Sequence, residues 1–417
     1  MGMTFAEKIF AKKTNRQKIT PGEIVTISPD IVMTLDADAE VFYRFKQLGL
    51  KRVWDADRII CFLDHYAPAS TVRTATLHKI LREFAEEQGI KYLYDIGEGF
   101  AHELMIERGH VLPGYFVVGT DSHTPSYGCV GAFSCGVGAT DMLSIWATGE
   151  LWFKVPESIK ITLSGKMPKG IYAKDIILAV IKNFTSKGCT YACVEFFGET
   201  LRNMSIAERF VLSNLSVEMG AKATYVQFDE LTRAYVDRFN KNYNPIFPDE
   251  NAVYKNHFEL DAEEMEPMVA CPHSVDNVRL VKTLEGTKIH QAFIGTCTSG
   301  RLEDLEVASS ILKGKKISPG VRLLVTPASR SILIKGMELG YVQELLSAGA
   351  TFLPSGCGPC AGIHEGLLGD GERCISTANR NFKGRMGSLN AEIYLGSTAT
   401  VAASALSGAL SDPRKFL

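Results

Sequence analysis

Three cysteines stand apart by their setting. Cys297 lies in Gly295-Thr296-Cys297-Thr298-Ser299-Gly300-Arg301, and Cys357 and Cys360 lie in Gly356-Cys357-Gly358-Pro359-Cys360-Ala361-Gly362. A Cys-x-x-Cys pair puts two thiolates within reach of one metal centre, and flanking glycines let backbone N–H groups approach sulfur. By itself the pair is equally a redox dithiol, half of a zinc site or part of an iron–sulfur site. A zinc ribbon needs a second such pair, which the sequence lacks. A redox dithiol is expected to open a helix near the start of a domain, not to sit late in the chain between glycines. Three thiolates on a [4Fe–4S] cluster would leave one iron without a protein ligand, free to take a substrate as open zinc sites do. The other seven cysteines, Cys61, Cys129, Cys135, Cys189, Cys193, Cys271 and Cys374, read as small buried hydrophobes.

A second group of residues suits proton transfer. Asp64-His65 and Asp121-Ser122-His123 each follow an apolar run, and His102 ends the segment Gly97-Glu98-Gly99-Phe100-Ala101-His102. An imidazole beside a carboxylate gives and takes protons near neutral pH. Singly, each of these is as well explained as a surface or capping residue; Asp121 or Ser122 can simply cap a turn. Two Asp–His pairs after two separate strands are harder to dismiss. Glu195 sits between apolar neighbours in Cys193-Val194-Glu195-Phe196-Phe197, so it needs a partner or an unusual protonation state. Asn379, Arg380 and Arg385 share the stretch Asn379-Arg380-Asn381-Phe382-Lys383-Gly384-Arg385. Guanidinium forks match carboxylates, although by composition a solvated basic loop explains the stretch as well.

The elements that must position these loops alternate in period. Apolar runs at 58–63, 91–96, 115–118, 158–164, 291–294 and 322–325 are of strand length. Helical spacing recurs at 72–88, with Gly89 as its stop, and at 173–184, 302–312, 330–339 and 398–410. This alternation predicts α/β layers. Boundaries are expected near residue 156, where Val155-Pro156-Glu157 breaks the pattern, and near 256. The polar, acidic, proline-interrupted stretch 240–266 is read as a linker or surface excursion. The expected units are thus 1–156, 157–256 and 257–417.

The chain as a whole bounds the function. Its 417 residues are 46% hydrophobic and 22% charged, with a net charge of −2, an ordinary soluble globular balance. No global basic field points to nucleic acid or an anionic membrane. No apolar run reaches the roughly 18 residues of a membrane helix. The first thirteen residues lack a secretory h-region, so a cytoplasmic enzyme is expected and a disulfide framework is not.

Taken together, these segments resemble the aconitase superfamily, and within it the large subunits of isopropylmalate isomerase and homoaconitase. The motifs that carry the resemblance run from near residue 4 to the C-terminus. They are GTDSHTPSYG (119–128), GAFSCGVGATD (131–141), TGELWFKVPE (148–157), ACPHSVDNV (270–278), GTCTSGR, GCGPC and NRNFKGR. The resemblance implies three α/β/α domains around a [4Fe–4S] cluster held by Cys297, Cys357 and Cys360. It implies that Asp64-His65 protonates a departing hydroxyl, that His102, Asp121, His123 and Glu195 hold the oxygen and tune its proton, and that Ser122, Asn379, Arg380 and Arg385 meet substrate carboxylates or the cluster. In aconitases a serine on a fourth, swivelling domain is the base. That domain is absent from this sequence, so a separate small subunit carrying it is expected. The implied activity is isomerisation of 2- and 3-isopropylmalate by dehydration and rehydration, as in leucine synthesis. The alternative is homoaconitase or a related dehydratase of methylated or shorter malates. An iron-responsive RNA-binding role is disfavoured by the near-neutral charge, and an electron carrier by the count of three thiolates. Three departures bear on the substrate: Leu35 stands where a histidine or glutamine precedes an aspartate in relatives, Thr296 and Ser299 replace commoner residues, and the chain differs after His65.

Overall fold

The computed structural model describes residues 2–417, apart from the side chains of Ala39 and Glu40. Its frame is three sheets of five, four and seven strands. The first orders Tyr92–Tyr94, Ile59–Phe62, Ile31–Leu35, Phe116–Gly119 and Phe133–Gly136, all parallel. Parallel sheets are covered on both faces, which is why Ile59–Phe62 and Phe116–Gly119 read as unbroken apolar runs and are wholly buried. The covering helix Val72–Gln88 begins at a Thr71 capping box and ends at Gly89, whose φ of 71° suits glycine.

The second sheet is also parallel, ordered Ala223–Val226, Cys193–Phe197, Ser158–Ser164 and Asn256–Asp261. Its last strand differs from the sequence expectation. Within the stretch read as a linker or surface excursion, residues 256–261 form a strand, and it pairs with Ser158–Ser164 although the expected boundary was near 256. The stretch is polar because it is an edge strand with alternating exposure; His257 Nε2 lies 2.8 Å from Thr162 Oγ1 on the neighbouring strand. Edge strands carry such polar residues to resist further pairing.

In the third sheet Glu392–Leu395, Arg373–Ser376, Gln291–Ile294, Arg322–Val325 and Thr351–Phe352 run parallel, while Met268–Ala270 and Val278–Leu280 are added antiparallel. Apolar packing crosses between units: one core joins the second and third sheets, and another takes Cys193, Ala223 and Tyr225 into the first. Backbone bonds pin the first unit to the third directly, from Cys357 N to Asp64 O (2.9 Å) and from Arg330 N to Glu98 O (2.9 Å). The carboxyl ends of the first and third sheets therefore face each other. In open parallel sheets that end is where loops build sites. All seven cysteines read as hydrophobes are buried. No helix among the described residues is long and apolar enough to cross a membrane.

Candidate active site

Each loop in the cleft between the first and third sheets leaves the end of a parallel strand. Asp64 and His65 follow Ile59–Phe62, the segment Asp121–His123 follows Phe116–Gly119, Cys297 follows Gln291–Ile294, Cys357 and Cys360 follow Thr351–Phe352, and Asn379 follows Arg373–Ser376. His102 stands in the first turn of the helix Ala101–Glu107. These side chains except Ser122, together with Arg385, line one cavity.

On the proton-transfer side, Asp64 is buried and binds His65 Nδ1 through Oδ1 at 2.7 Å. Its Oδ2 accepts from Ala101 N at 2.7 Å, at the start of the helix carrying His102. The other ring nitrogen of His65 lies 3.4 Å from Asp121 Oδ2. Asp121 is the hub: Oδ1 is 2.9 Å from His102 Nε2 and accepts from His123 N at 2.6 Å. Burial opposes its charge, but the three histidines outweigh burial and hold its carboxyl well below the usual range. For His65, burial disfavours the cation, yet Cys357, Asp64 and Asp121 together raise its pKa well above the ordinary value. Burial, opposed by a hydrogen bond from Thr120 and by His65 and reinforced by Asp121 and Asp36, lifts Asp38 to about 6.

On the sulfur side, Asn214 Nδ2 and Asn379 Nδ2 each donate to Cys297 Sγ at 3.2 Å. The two amides are bonded to each other at 2.5 Å. Thr296 Oγ1 donates to Asn379 Oδ1 at 3.1 Å, so the threonine at this departure carries a structural bond. It also adopts a φ of 72°, and the loop turns back at Gly300, where φ is 83° and a Cβ would stand 2.3 Å from Thr326 O. Burial pushes the Cys357 thiol up to about 12 and Cys297 well above its ordinary value, with the neighbouring thiols adding to both. Thiolates here are stable only against a compensating cation. The guanidinium of Arg385 faces Cys360, and its Nε is buried with no acceptor among the described residues. Three thiols lining one cavity, two amide donors and a guanidinium set against Cys360 with its Nε unpaired fit an anionic iron–sulfur cluster rather than a lone dithiol.

The expected site residues fall into place unevenly. Asp64, His65, His102, Asp121, His123, Asn379, Arg385 and the three cysteines share the cavity. Arg380 joins its rim, donating from Nη2 to Ser122 Oγ at 3.1 Å and from Nε to Glu218 Oε1 at 2.8 Å. The basic stretch is thus not a solvated loop: Asn379 and Asn381 are buried. Glu195 must be corrected. It is fully buried on the second sheet, accepting from Ser158 Oγ (2.7 Å), Tyr254 Oη (3.1 Å) and the N–H groups of Phe5 and Ala6 (3.4 Å each), at the start of the helix Phe5–Lys13. None of these partners lines the cavity.

Sequence reasoning missed Glu218, whose Oε1 lies 3.0 Å from His123 Nε2 and also takes Arg380. Burial opposes its charge, but His123 and Arg380 lower its pKa. The signal available was a carboxylate among apolar residues in Val217-Glu218-Met219, the same signal that favoured Glu195. Asn214 was missed, as was Tyr127, whose hydroxyl is 3.0 Å from His102 Nδ1. Leu35 turns its side chain into the core with Met33 and Phe62, while the next residue, Asp36, binds His65 N (3.1 Å), Tyr66 N (3.0 Å) and His78 Nε2 (3.0 Å). Ser299 Oγ is bonded to Thr398 Oγ1 at 2.8 Å.

Comparison with known proteins places this geometry. Residues 7–408 match the model of the Aconitase family (aconitate hydratase). The 3-isopropylmalate dehydratase large subunit 1 of Methanopyrus kandleri is 45% identical across 100% of both chains. A probable methanogen homoaconitase large subunit of Methanosarcina mazei is 52% identical over 89% of this chain and 95% of its own length. Among solved structures, aconitase X of Thermococcus kodakaraensis in its holo-form aligns over 93% of each chain with a TM-score of 0.52 and 11% identity, a likeness of fold. A family match across nearly the whole chain, and relatives this similar end to end, make the conclusion direct: the chain belongs to the aconitase family and is a hydro-lyase.

Proposed function

We propose that this chain is the large subunit of a heteromeric hydro-lyase that interconverts 2- and 3-isopropylmalate by removing and re-adding water. The observation that carries the reading is the chain Asp64–His65–Asp121 set directly against Cys357, with ligand atoms of Asp64, His65 and Cys357 all within 4.8 Å of one another. Cys297, Cys357 and Cys360 would hold a [4Fe–4S] cluster, which supplies a Lewis acid at the iron that three thiolates leave without a protein ligand. His65, fixed by Asp64, gives its proton to the departing hydroxyl. Asp121 stays ionised, keeps His102 and His123 in place and preserves the charge of His65. Arg380 and Ser122, with Arg385 in the cavity, orient the substrate carboxylates, on which negative charge builds as the C–H proton is removed and from which it passes to the departing oxygen as the C–O bond breaks. The base for the C–H proton comes from a small subunit, in keeping with the names of the relatives, which are large subunits. Homoaconitate chemistry is the second reading, favoured by the 52% identical relative.

Anaerobically reconstituted chain, co-purified with its small subunit, separates the two when offered 3-isopropylmalate, homocitrate and citramalate. Turnover of 3-isopropylmalate with the largest kcat/KM is expected. Preference for homocitrate would move the assignment to the second reading. In either case His65→Ala should lower kcat by about 10²–10⁴-fold; full activity would remove it from the role of acid.

A further inference from the structure

We propose that Arg301 is a positioning residue that locks the histidine side of the site to the cysteine side. Its side chain is buried and touches three elements, each of which carries a different site residue. Nη2 donates to the carbonyl of Cys297 at 3.2 Å. Nε stands 2.7 Å from Glu103 Oε2, and Glu103 is the neighbour of His102 on the helix Ala101–Glu107. The guanidinium carbon lies 4.0 Å from the centre of the Phe210 ring. Phe210 is one helical turn before Asn214 on Ile206–Leu215, and Asn214 donates to Cys297 Sγ. Residues four apart share a helix face, so the plane on which Arg301 rests belongs to the face that presents Asn214.

A buried guanidinium is costly to place unless its donors and charge are met. Here the carboxylate that meets its charge comes from the first unit, the aromatic face from the second and the carbonyl that takes Nη2 from the cluster loop of the third, while Nε and Nη1 have no hydrogen-bond acceptor among the described residues. Lysine cannot reproduce this, because it is a point charge without a planar group to stack on the Phe210 ring while donating to the Cys297 carbonyl. The two halves of the site are far apart in sequence, and Arg301 fixes the distance between His102 and Cys297 without touching any reacting atom.

The inference rests on the three cysteines holding a cluster, so the experiment has one arm that needs iron and one that does not. Arg301→Lys, Arg301→Met and the paired apolar exchange Glu103→Leu/Arg301→Met are made in the full chain. The first arm measures iron release to a chelator after anaerobic loading; about 10–100-fold faster release is expected for all three, the range for outer partners of metal ligands. The paired exchange is expected to melt close to the unsubstituted protein, since replacing a buried ion pair by apolar side chains is often neutral, while still releasing iron quickly. The second arm measures amide exchange in iron-free chain, where segments 101–106 and 296–301 should lose protection together. Iron held as firmly in the paired exchange as in the unsubstituted chain would overturn the proposal. So would loss of protection confined to 296–301. If the unsubstituted chain takes up no iron, the cluster reading fails, and the coupled exchange of the two segments alone decides for or against the clamp.

Discussion

Two carboxylates in apolar surroundings, Glu195 and Glu218, look alike in sequence and should behave in opposite ways when changed to glutamine. Burial raises Glu195 from an ordinary 4.5 to about 7, against the donors Ser158, Tyr254, Ala6 and Phe5. The folded chain then keeps a proton that the unfolded chain has released between pH 4.5 and 7. The unfolded state binds fewer protons in that window, so stability is greatest below it and falls as pH rises through it. At about 1.4 kcal/mol per tenfold, the full loss above pH 7 is about 3 kcal/mol. Glutamine carries no charge at any pH and removes this loss, but its two amide hydrogens face a pocket built of hydroxyls and donor-only backbone N–H groups, at a cost of about 1–3 kcal/mol. Glu195→Gln should therefore be less stable than the unsubstituted chain at pH 5 and equal to or more stable than it at pH 8, in urea melts of the chain. Its kcat at pH 8, measured on loaded enzyme with its partner subunit, should stay within about twofold, because no Glu195 partner lines the cavity. Glu218→Gln instead leaves His123 and the Arg380 guanidinium without their common anion. Breaking a buried charged contact costs about 3 kcal/mol, which as lost transition-state stabilisation is about a hundredfold in kcat. A Glu195→Gln enzyme that loses activity at unchanged stability would refute the placement of this residue outside the site. A stability difference that does not move with pH would refute the titration argument.

Other outcomes follow from the same contacts. Cys357→Ser should abolish the visible iron–sulfide absorbance of reconstituted protein while far-ultraviolet circular dichroism is retained; serine oxygen is a poor ligand for this cluster type. Asn379→Ala removes one of two amide donors to Cys297 Sγ and the partner of Thr296, so iron release to a chelator should speed up by about 10–100-fold. Arg380→Lys keeps the charge but loses the fork that reaches Ser122 and Glu218 together. Its KM for the substrate should rise by about tenfold, with a smaller change in iron content; an unchanged KM would remove Arg380 from substrate binding.

The local frame was legible because period and punctuation are local. Ser158–Ser164, Ala173–Phe184, Gln291–Ile294 and Leu302–Leu312 stand where their apolar spacing predicts them. The helix Val72–Gln88 stops at the glycine that can take a left-handed conformation. The Asp–His loops and the cysteine loops were visible for the same reason, since each is a short run of chemically distinctive residues after a strand. The strand Asn256–Asp261 escaped because an edge strand lacks the apolar run that marks a central one.

What the sequence determined by itself is therefore the α/β class, the central strands and longer helices with a clear apolar period, and which loops carry sulfur, imidazole and guanidinium. Tertiary structure alone decided which of these meet. The contacts of Asn214 and Asn379 with Cys297 span 83 and 82 residues, and that between the two amides spans 165; no periodicity reaches so far. It also decided that Glu218 backs His123 and Arg380 at the site and Glu195 a helix start, because the setting of a buried carboxylate is fixed by the unit that packs over it, and neighbours in sequence do not record which unit that is.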